Sequence, residues 1–282
     1  MTVAYAKHTL NQALFSIKEA QESIGLVPTM GALHEGHLAL VSRALQDNEH
    51  VVVSIFVNPT QFNNVKDLEL YPRHLDQDIT KLERISSRII VFAPEIDDLY
   101  GSHVVSDSYA LGTLIQDMEG KFRPGHFDGV ATIVHKLLDV VQPERAYFGE
   151  KDYQQLQVIR KVVSQKNIAT EIIGCPIYRE KSGLAMSSRN ERLSKDQKVL
   201  ATQLHHVLVQ VKEKFGIKSV LEIRNMVQSQ FSQQKEIQLE YFEIAATETM
   251  IPTETIQPHT TYRAFISAFI GGVRLIDNIA LN

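Results

Sequence analysis

Residues 26–38 read Leu-Val-Pro-Thr-Met-Gly-Ala-Leu-His-Glu-Gly-His-Leu. Gly31 and Gly36 let a backbone approach a ligand closely, and His34 and His37, three residues apart, share one side of a turn. If a helix starts here, its unpaired N–H groups and dipole add a positive field that suits an anionic group, phosphate above all. The spacing from Gly31 to Gly36 imitates a P-loop, yet His37-Leu38 follows where Lys-Ser/Thr is required, and no GxGxxG fingerprint occurs in the chain. Two histidines three apart also suit packed surface residues. A zinc site is the less apt reading, because the H-E-x-x-H spacing is absent.

A second constellation lies at 183–190, Gly-Leu-Ala-Met-Ser-Ser-Arg-Asn. Two hydroxyls and a guanidinium among small residues can wrap phosphate oxygens, through Ser187, Ser188 and Arg189. The same residues also suit a helix-capping loop. Lys151 beside Asp152 reads either as a charge aimed at a ligand or as an exposed ion pair of little consequence. The single cysteine, Cys175, lies between Gly174 and Pro176 at a strand end and reads as a packed thiol rather than a nucleophile. It also excludes intrachain disulfides and cysteine metal clusters.

Such groups need a frame to position them. Leu10, Leu14 and Ile17 share a helical face ahead of the apolar run 24–27. The run 51–57 is nearly continuous in β-branched and aromatic residues, the pattern of a parallel strand covered on both faces, and 89–92 repeats it after a polar helix at 76–86. A helix at 130–141 ends near Pro143, a short strand follows at 146–148, then a helix at 153–163 and a strand at 171–175. This alternation predicts an α/β fold, a Rossmann-like doubly wound parallel sheet. The 26–38 segment then falls where a first strand gives way to a helix, which is where open α/β sheets bind ligands.

After Pro176 the alternation stops. Helical stretches at 195–214 and 219–232 precede two half-exposed strand patterns, 237–246 and 262–270, and Gly271-Gly272 supplies a hairpin into 273–276. A second, smaller α+β domain is expected, giving domains at 1–176 and 177–282 with a short joint. The length of 282 residues fits two domains. With 44% hydrophobic and 22% charged residues, disorder and disulfide scaffolds are disfavoured. Apolar runs fall far short of the roughly 20 residues of a membrane span, and a signal-peptide pattern is lacking, so a soluble cytoplasmic protein is expected. The net charge of −4 argues against broad nucleic-acid or membrane adhesion.

Taken together, the His-x-Gly-His turn and the 186–189 loop resemble the paired HIGH and KMSKS signatures of the nucleotidylyltransferase superfamily. A closer resemblance covers 26–192: Ser54-Ile-Phe-Val-Asn-Pro-Thr-Gln-Phe, Tyr71-Pro-Arg, Arg123-Pro-Gly-His-Phe and Phe148-Gly-Glu-Lys-Asp-Tyr-Gln-Gln-Leu, with Arg274-Leu-Ile-Asp-Asn near the end. In this order they resemble the pantothenate synthetase (pantoate-beta-alanine ligase) family. The resemblance implies ATP-dependent condensation of (R)-pantoate with β-alanine to pantothenate, AMP and pyrophosphate through a pantoyl adenylate, with no covalent enzyme intermediate.

Residue by residue, the resemblance implies an ATP-binding turn over Met30, Gly31, Ala32, Leu33, His34, Glu35, Gly36 and His37, with His37 the family's designated proton donor. It extends ATP binding to Gly149, Glu150, Lys151 and Asp152, to Tyr178, and to Met186, Ser187, Ser188 and Arg189. His37, His34 and Lys151 would be catalytic, chiefly by stabilising charge. Gln61 and Gln155 would bind pantoate, Gln61 also lying toward β-alanine, with Asn58 and Phe62 completing the pocket. Neutral amides keep the carboxylate nucleophilic where an arginine clamp would stabilise its ground state. Arg123 and His126 could serve the β-alanine stage or lie in an exposed loop.

Three departures stand out. Thr60 replaces a common Met, Cys175 a usual Val, and the run 76–78 is less acidic than usual, so no protein ligand is assigned to magnesium, which would be held mainly by ATP phosphates. The smaller domain is expected to act as a lid that excludes water from the adenylate, and a homodimer is implied. The alternatives are an adenylyltransferase acting on a phosphate acceptor in coenzyme A or NAD synthesis, an aminoacyl-tRNA synthetase, and a non-catalytic nucleotide sensor. The residues around Gln61 and Gln155 oppose the first, the lack of a long basic region the second, and the full set of charged site residues the third.

Overall fold

Valine triplets and isoleucine pairs build the centre of the molecule. A computed structural model describes all residues, 1–282. Val51, Val52 and Val53 are completely buried, as are Ile89 and Val91, which is why these runs carry no polar alternation. They belong to a six-stranded sheet of β1 (Thr2–Ala4), β2 (Ile24–Thr29), β3 (His50–Ile55), β4 (Ile89–Phe92), β5 (Arg145–Gly149) and β6 (Glu171–Cys175). All pairings are parallel, in the order β1-β4-β3-β2-β5-β6. The helices are α1 (Lys7–Glu19), α2 (Glu35–Asp47), α3 (Val65–Glu69), α4 (Leu75–Glu83), α5 (Ile96–Tyr100), α6 (Glu119–Phe122), α7 (His126–Val141) and α8 (Tyr153–Gln165).

The strand order runs outward from β2 through β3 to β4, then restarts on the other side of β2 with β5, and Leu26 pairs with both Val52 and Ala146. The carboxyl ends of β2 and β5 therefore flank a topological switch point, where an open parallel sheet leaves a crevice. Both segments singled out for phosphate chemistry in this part of the chain, 30–37 after β2 and 149–152 after β5, start there.

The remaining helices, α9 (Lys195–Lys214) and α10 (Val220–Ser232), pack on an antiparallel sheet of β7 (Ile237–Ala246), β8 (Tyr262–Ile270) and β9 (Val273–Ala280) in sequence order. Leu204, Leu208 and Val211 from α9 and Ile223, Val227 and Phe231 from α10 share one core with Ile266, Ala268 and Leu275. Ser194 with Gln197 and Ser219 with Glu222 close capping boxes at the two helix starts. No helix is long and apolar enough to cross a membrane.

The expected elements are present, with three differences. β1 is a three-residue edge strand, too short to show a pattern. α7 begins at His126, four residues ahead of the apolar run that announced it. β9 continues past 276 because Asp277 and Asn278, which look like a strand end, are buried and paired: Arg179 reaches both Asp277 oxygens at 2.7 and 2.9 Å, and Arg263 donates to Asn278.

The chain divides into two compact units, the first comprising Met1–Leu111, Arg123–Glu150 and Gln155–Pro176, the second Gly112–Phe122, Lys151–Gln154 and Ile177–Asn282. A single cut after 176 therefore does not describe the organisation. Two short segments join the second unit, and polar contacts explain why. Glu119 lies 2.6 and 2.8 Å from the Arg274 guanidinium and accepts the Tyr241 hydroxyl at 2.8 Å. The Lys151 carbonyl accepts Asn278 Nδ2, also at 2.8 Å.

Candidate active site

The turn between β2 and α2 is held from below by side chains far away in sequence. Thr29 Oγ1 donates to the Ser54 carbonyl at 2.7 Å and accepts the Gly31 N–H at 3.2 Å. Gly31 has φ 80°, a conformation that favours glycine, and a Cβ there would sit tightly, 3.1 Å from Ile55 and 3.2 Å from Asp78 Oδ2. Ala32 follows at φ 48°. Leu33 is buried in the sheet core beside Leu82, worth about 1.5–3 kcal/mol for a fully buried leucine. Its N–H donates to Asp78 Oδ1 at 2.8 Å, while Lys81 Nζ donates to its carbonyl at 2.5 Å.

The result is a fixed platform for the two histidines. His34 is the N-cap of α2, its carbonyl accepting the His37 N–H at 2.8 Å, and its own N–H lies 3.4 Å from His37 Nδ1. The two rings stack, with centroids 4.0 Å apart and planes 23° from parallel. Both are half-buried and Glu35 is exposed. Two imidazoles at the start of a helix combine hydrogen-bond donors with the dipole field, an arrangement whose chemistry suits an anion.

Beside this turn lies a cluster of amides. Asn58 and Gln61 are buried at the ends of a short 3-10 turn, Pro59–Gln61. Asn58 Nδ2 donates to Gln61 Oε1 at 3.1 Å and to the Gly129 carbonyl at 3.0 Å. Asn58 Oδ1 accepts the hydroxyls of Tyr100 at 2.6 Å and Thr60 at 3.1 Å. Thr60 thus adds a hydroxyl to a polar network and does more than alter packing. Gln61 Nε2 lies 2.9 Å from Met30 Sδ, and Phe62 meets Tyr71 edge-on. His126 is 5% exposed, which corrects the exposed-loop reading: its Nδ1 lies 2.9 Å from the Gln61 carbonyl and Arg123 Nη1 lies 3.0 Å from its Nε2. Both residues support Gln61.

In the second unit, Lys151 Nζ lies 3.2 and 3.3 Å from the Asp152 oxygens. The lysine side chain is 18% exposed and the aspartate 44%, so the pair is sheltered on the lysine side only. Ser187 caps a short 3-10 helix, Ser188–Arg192, by accepting the Arg189 N–H at 3.3 Å, so the capping reading of this loop is correct as geometry. Ser188 is buried, Met186 donates its N–H to the Tyr178 carbonyl at 3.0 Å, and the Tyr178 ring is exposed. Gln155 is half-buried. Its neighbour Gln154, not singled out by the sequence, is buried and spends its amide on the Glu119 N–H and the carbonyls of Leu114 and Asp117.

Burial pushes the Cys175 thiol above its ordinary value, in keeping with a packed residue. The Asp78 carboxylate faces an N–H and, at 3.7 Å, the Lys81 ammonium. That donor set fits an ammonium rather than a divalent ion. The sequence did not mark Asp78, Lys81 or Tyr100 for a role. Acids in the first turn of a polar helix ordinarily face solvent, and nothing local announces that Asp78 points inward.

Comparison with known proteins gives a consistent picture. The family model described as pantoate-beta-alanine ligase matches residues 2–280. A protein of Christiangramia forsetii named pantothenate synthetase is 51% identical over 282 residues, covering 100% of both chains. One of that name from Bacteroides thetaiotaomicron is 43% identical over 279 residues, covering 99% of this chain and 98% of the other. Among solved structures, pantothenate synthetase from Thermus thermophilus superposes with a TM-score of 0.91 at 39% identity, covering 100% of this chain and 99% of that one. A pantoate-beta-alanine ligase from Francisella tularensis, complexed with beta-gamma ATP and β-alanine, gives 0.82 at 36% identity, over 100% and 98% of the two chains.

Proposed function

The chain belongs to the pantoate-beta-alanine ligase family, and from that premise we propose how its residues divide the work. The enzyme condenses pantoate with β-alanine at the expense of ATP, and the adenylyltransferase alternative is not favoured. In the first step a pantoate carboxylate oxygen attacks the α-phosphorus. The bond to the bridging oxygen breaks and pyrophosphate leaves. In the second, the β-alanine amine attacks the acyl carbon of the adenylate, AMP departs with the former carboxylate oxygen, and the nitrogen loses a proton.

Neither step needs a protein nucleophile, so positioning and charge stabilisation carry the chemistry. The observation that carries the assignment is the stacked His34–His37 pair at the start of α2. Residues 30–37 bind ATP, the two imidazoles donating to phosphate oxygens. Lys151 neutralises charge moving onto pyrophosphate, with Gly149, Glu150 and Asp152 alongside it. Tyr178, Met186, Ser187, Ser188 and Arg189 complete the nucleotide contacts. Gln61 and Gln155 hold pantoate, and Gln61 also contacts β-alanine. ATP enters as its magnesium complex, the ion held by phosphates. We further propose a cytoplasmic homodimer and a lid role for 177–282. Sedimentation as a monomer would remove the first, and scattering profiles unchanged by ligands the second.

The direct test incubates the protein with Mg-ATP and pantoate and follows pyrophosphate and AMP separately. Pantoate-dependent pyrophosphate without much AMP, then AMP once β-alanine is added, is the expected pattern. Inert pantoate with adenylyl transfer to a phosphate acceptor overturns it.

A further inference from the structure

We infer that Tyr100 and Thr60, which have no part in the proposed chemistry, are positioning residues that fix which end of the Gln61 amide faces the substrate carboxylate. The inference rests on the reading of Gln61 as a pantoate ligand.

A carboxamide has a donor end and an acceptor end, and exchanging them changes its polarity but hardly its shape. Something must therefore choose. The choice starts at Gly129, whose backbone carbonyl can only accept, so the group 3.0 Å away on Asn58 must be the amide nitrogen. That close approach depends on glycine: a Cβ on Gly129 would stand 2.4 Å from the Thr60 carbonyl oxygen. With its nitrogen committed, Asn58 turns its oxygen to the Tyr100 hydroxyl, which donates at 2.6 Å, and to the Thr60 hydroxyl, 3.1 Å away and itself 3.0 Å from the Tyr100 oxygen. Burial raises the Tyr100 phenol above its ordinary value, so it keeps the proton it gives.

The second N–H of Asn58 then donates to Gln61 Oε1 at 3.1 Å. The oxygen end of Gln61 is thereby engaged, and Nε2 is the end left for a ligand. Its contact at 2.9 Å is Met30 Sδ, a weak acceptor that a carboxylate oxygen readily outcompetes. The main chain is held as well, by His126 at the Gln61 carbonyl. The ordered chain of polar groups, hydroxyls to Asn58 to Gln61, thus ends in an N–H donor. An amide locked this way favours a carboxylate and disfavours the isosteric carboxamide, whose own N–H groups need an acceptor at that point.

Tyr100→Phe and Thr60→Val each remove one hydroxyl while keeping shape, and the double variant strips the Asn58 oxygen of its donors, leaving the Gly129 carbonyl alone to orient Asn58 and Gln61. Dissociation constants for pantoate and for its carboxamide analogue, pantoamide, are measured on the full chain by calorimetry, with the KM for ATP beside them. In the double variant pantoate affinity should fall about tenfold, the loss of roughly one oriented hydrogen bond. Pantoamide affinity should hold or improve, so the preference for carboxylate shrinks, and the KM for ATP should stay unchanged. Each single variant should fall between. Equal weakening of both ligands would show general loosening and overturn the inference, as would unchanged preference. Gln61→Ala separates the two levels. If it leaves pantoate binding untouched, the reading of Gln61 itself fails; if it weakens pantoate while the double variant does not alter preference, only the positioning role fails.

Discussion

Asp78, fully buried on α4, accepts the backbone N–H of Leu33 at 2.8 Å and so holds the residue immediately before His34. Asp78→Ala should leave that N–H unsatisfied in the interior, costing about 1–3 kcal/mol of stability. The displaced turn should also raise the KM for ATP more than that for β-alanine. Asp78→Asn, which keeps an oxygen for Leu33, should recover part of both losses. Urea denaturation and steady-state kinetics on the two variants check this, and an Asp78→Ala protein with normal ATP kinetics would detach the clamp from the nucleotide turn.

His37 sits on the first turn of α2, half-buried and stacked on the His34 ring, outside the apolar core of the sheet, so its removal should disturb little of that core. His37→Ala should slow pantoate-dependent pyrophosphate release by about 10²–10⁴-fold, the range for a positioned acid or charge-stabilising group. Thermal unfolding should be nearly unchanged. Near-normal pyrophosphate release would strike His37 from the catalytic residues.

Arg274 reaches Glu119 at 2.6 and 2.8 Å and Glu240 at 2.5 and 2.9 Å, and the Tyr241 hydroxyl donates to Glu119 within the same buried network. Arg274→Met strands two carboxylates in a largely buried place and should cost about 3–5 kcal/mol. Replacing Glu119 and Glu240 by Gln in the same protein should recover much of it, since the stranded charge and not the lost attraction dominates. Denaturant unfolding of the single and triple variants decides between those two causes.

The Ser219 N–H and hydroxyl both donate to Glu222, at 2.9 and 2.8 Å, and hold its carboxyl below the ordinary glutamate value. A depressed folded-state pKa contributes stability above the unfolded value and loses it as pH falls through the folded one. Protection of the α10 amides relative to their intrinsic exchange rates should therefore fall as the pH drops from about 6 to about 3, and Glu222→Gln should remove that part of the slope. Parallel slopes in the two proteins would show that the cap does not titrate with the helix.

The sheet was legible because its strands stand out as short β-prone runs: 89–92 is wholly apolar, 171–175 carries an isoleucine pair, and both appear with the expected bounds. The histidine turn was legible because glycine and histidine leave few alternatives at a strand-to-helix junction. What stayed hidden depended on distant partners. Asp277 and Asn278 read as a strand end until Arg179 and Arg263 are brought against them. Tyr100 closes an unremarkable short helix and matters only because Asn58 lies under its hydroxyl. Arg123 and His126 gave a motif without a role, and the fold supplies one by laying the imidazole against the Gln61 carbonyl.

The polypeptide enters the second unit at 112, leaves it at 123, re-enters at 151, leaves at 155 and returns for good at 177. No single stop codon or recombination breakpoint follows the boundary between the two. A fragment ending at 176 carries Glu119 and Lys151 without Arg274 and Asn278, and its complement lacks the strip that answers those residues. Shuffling with a relative must therefore exchange the whole reading frame or move residues 112–122 and 151–154 together with the C-terminal third. The stitching means that no single cut in the gene parts the two cores.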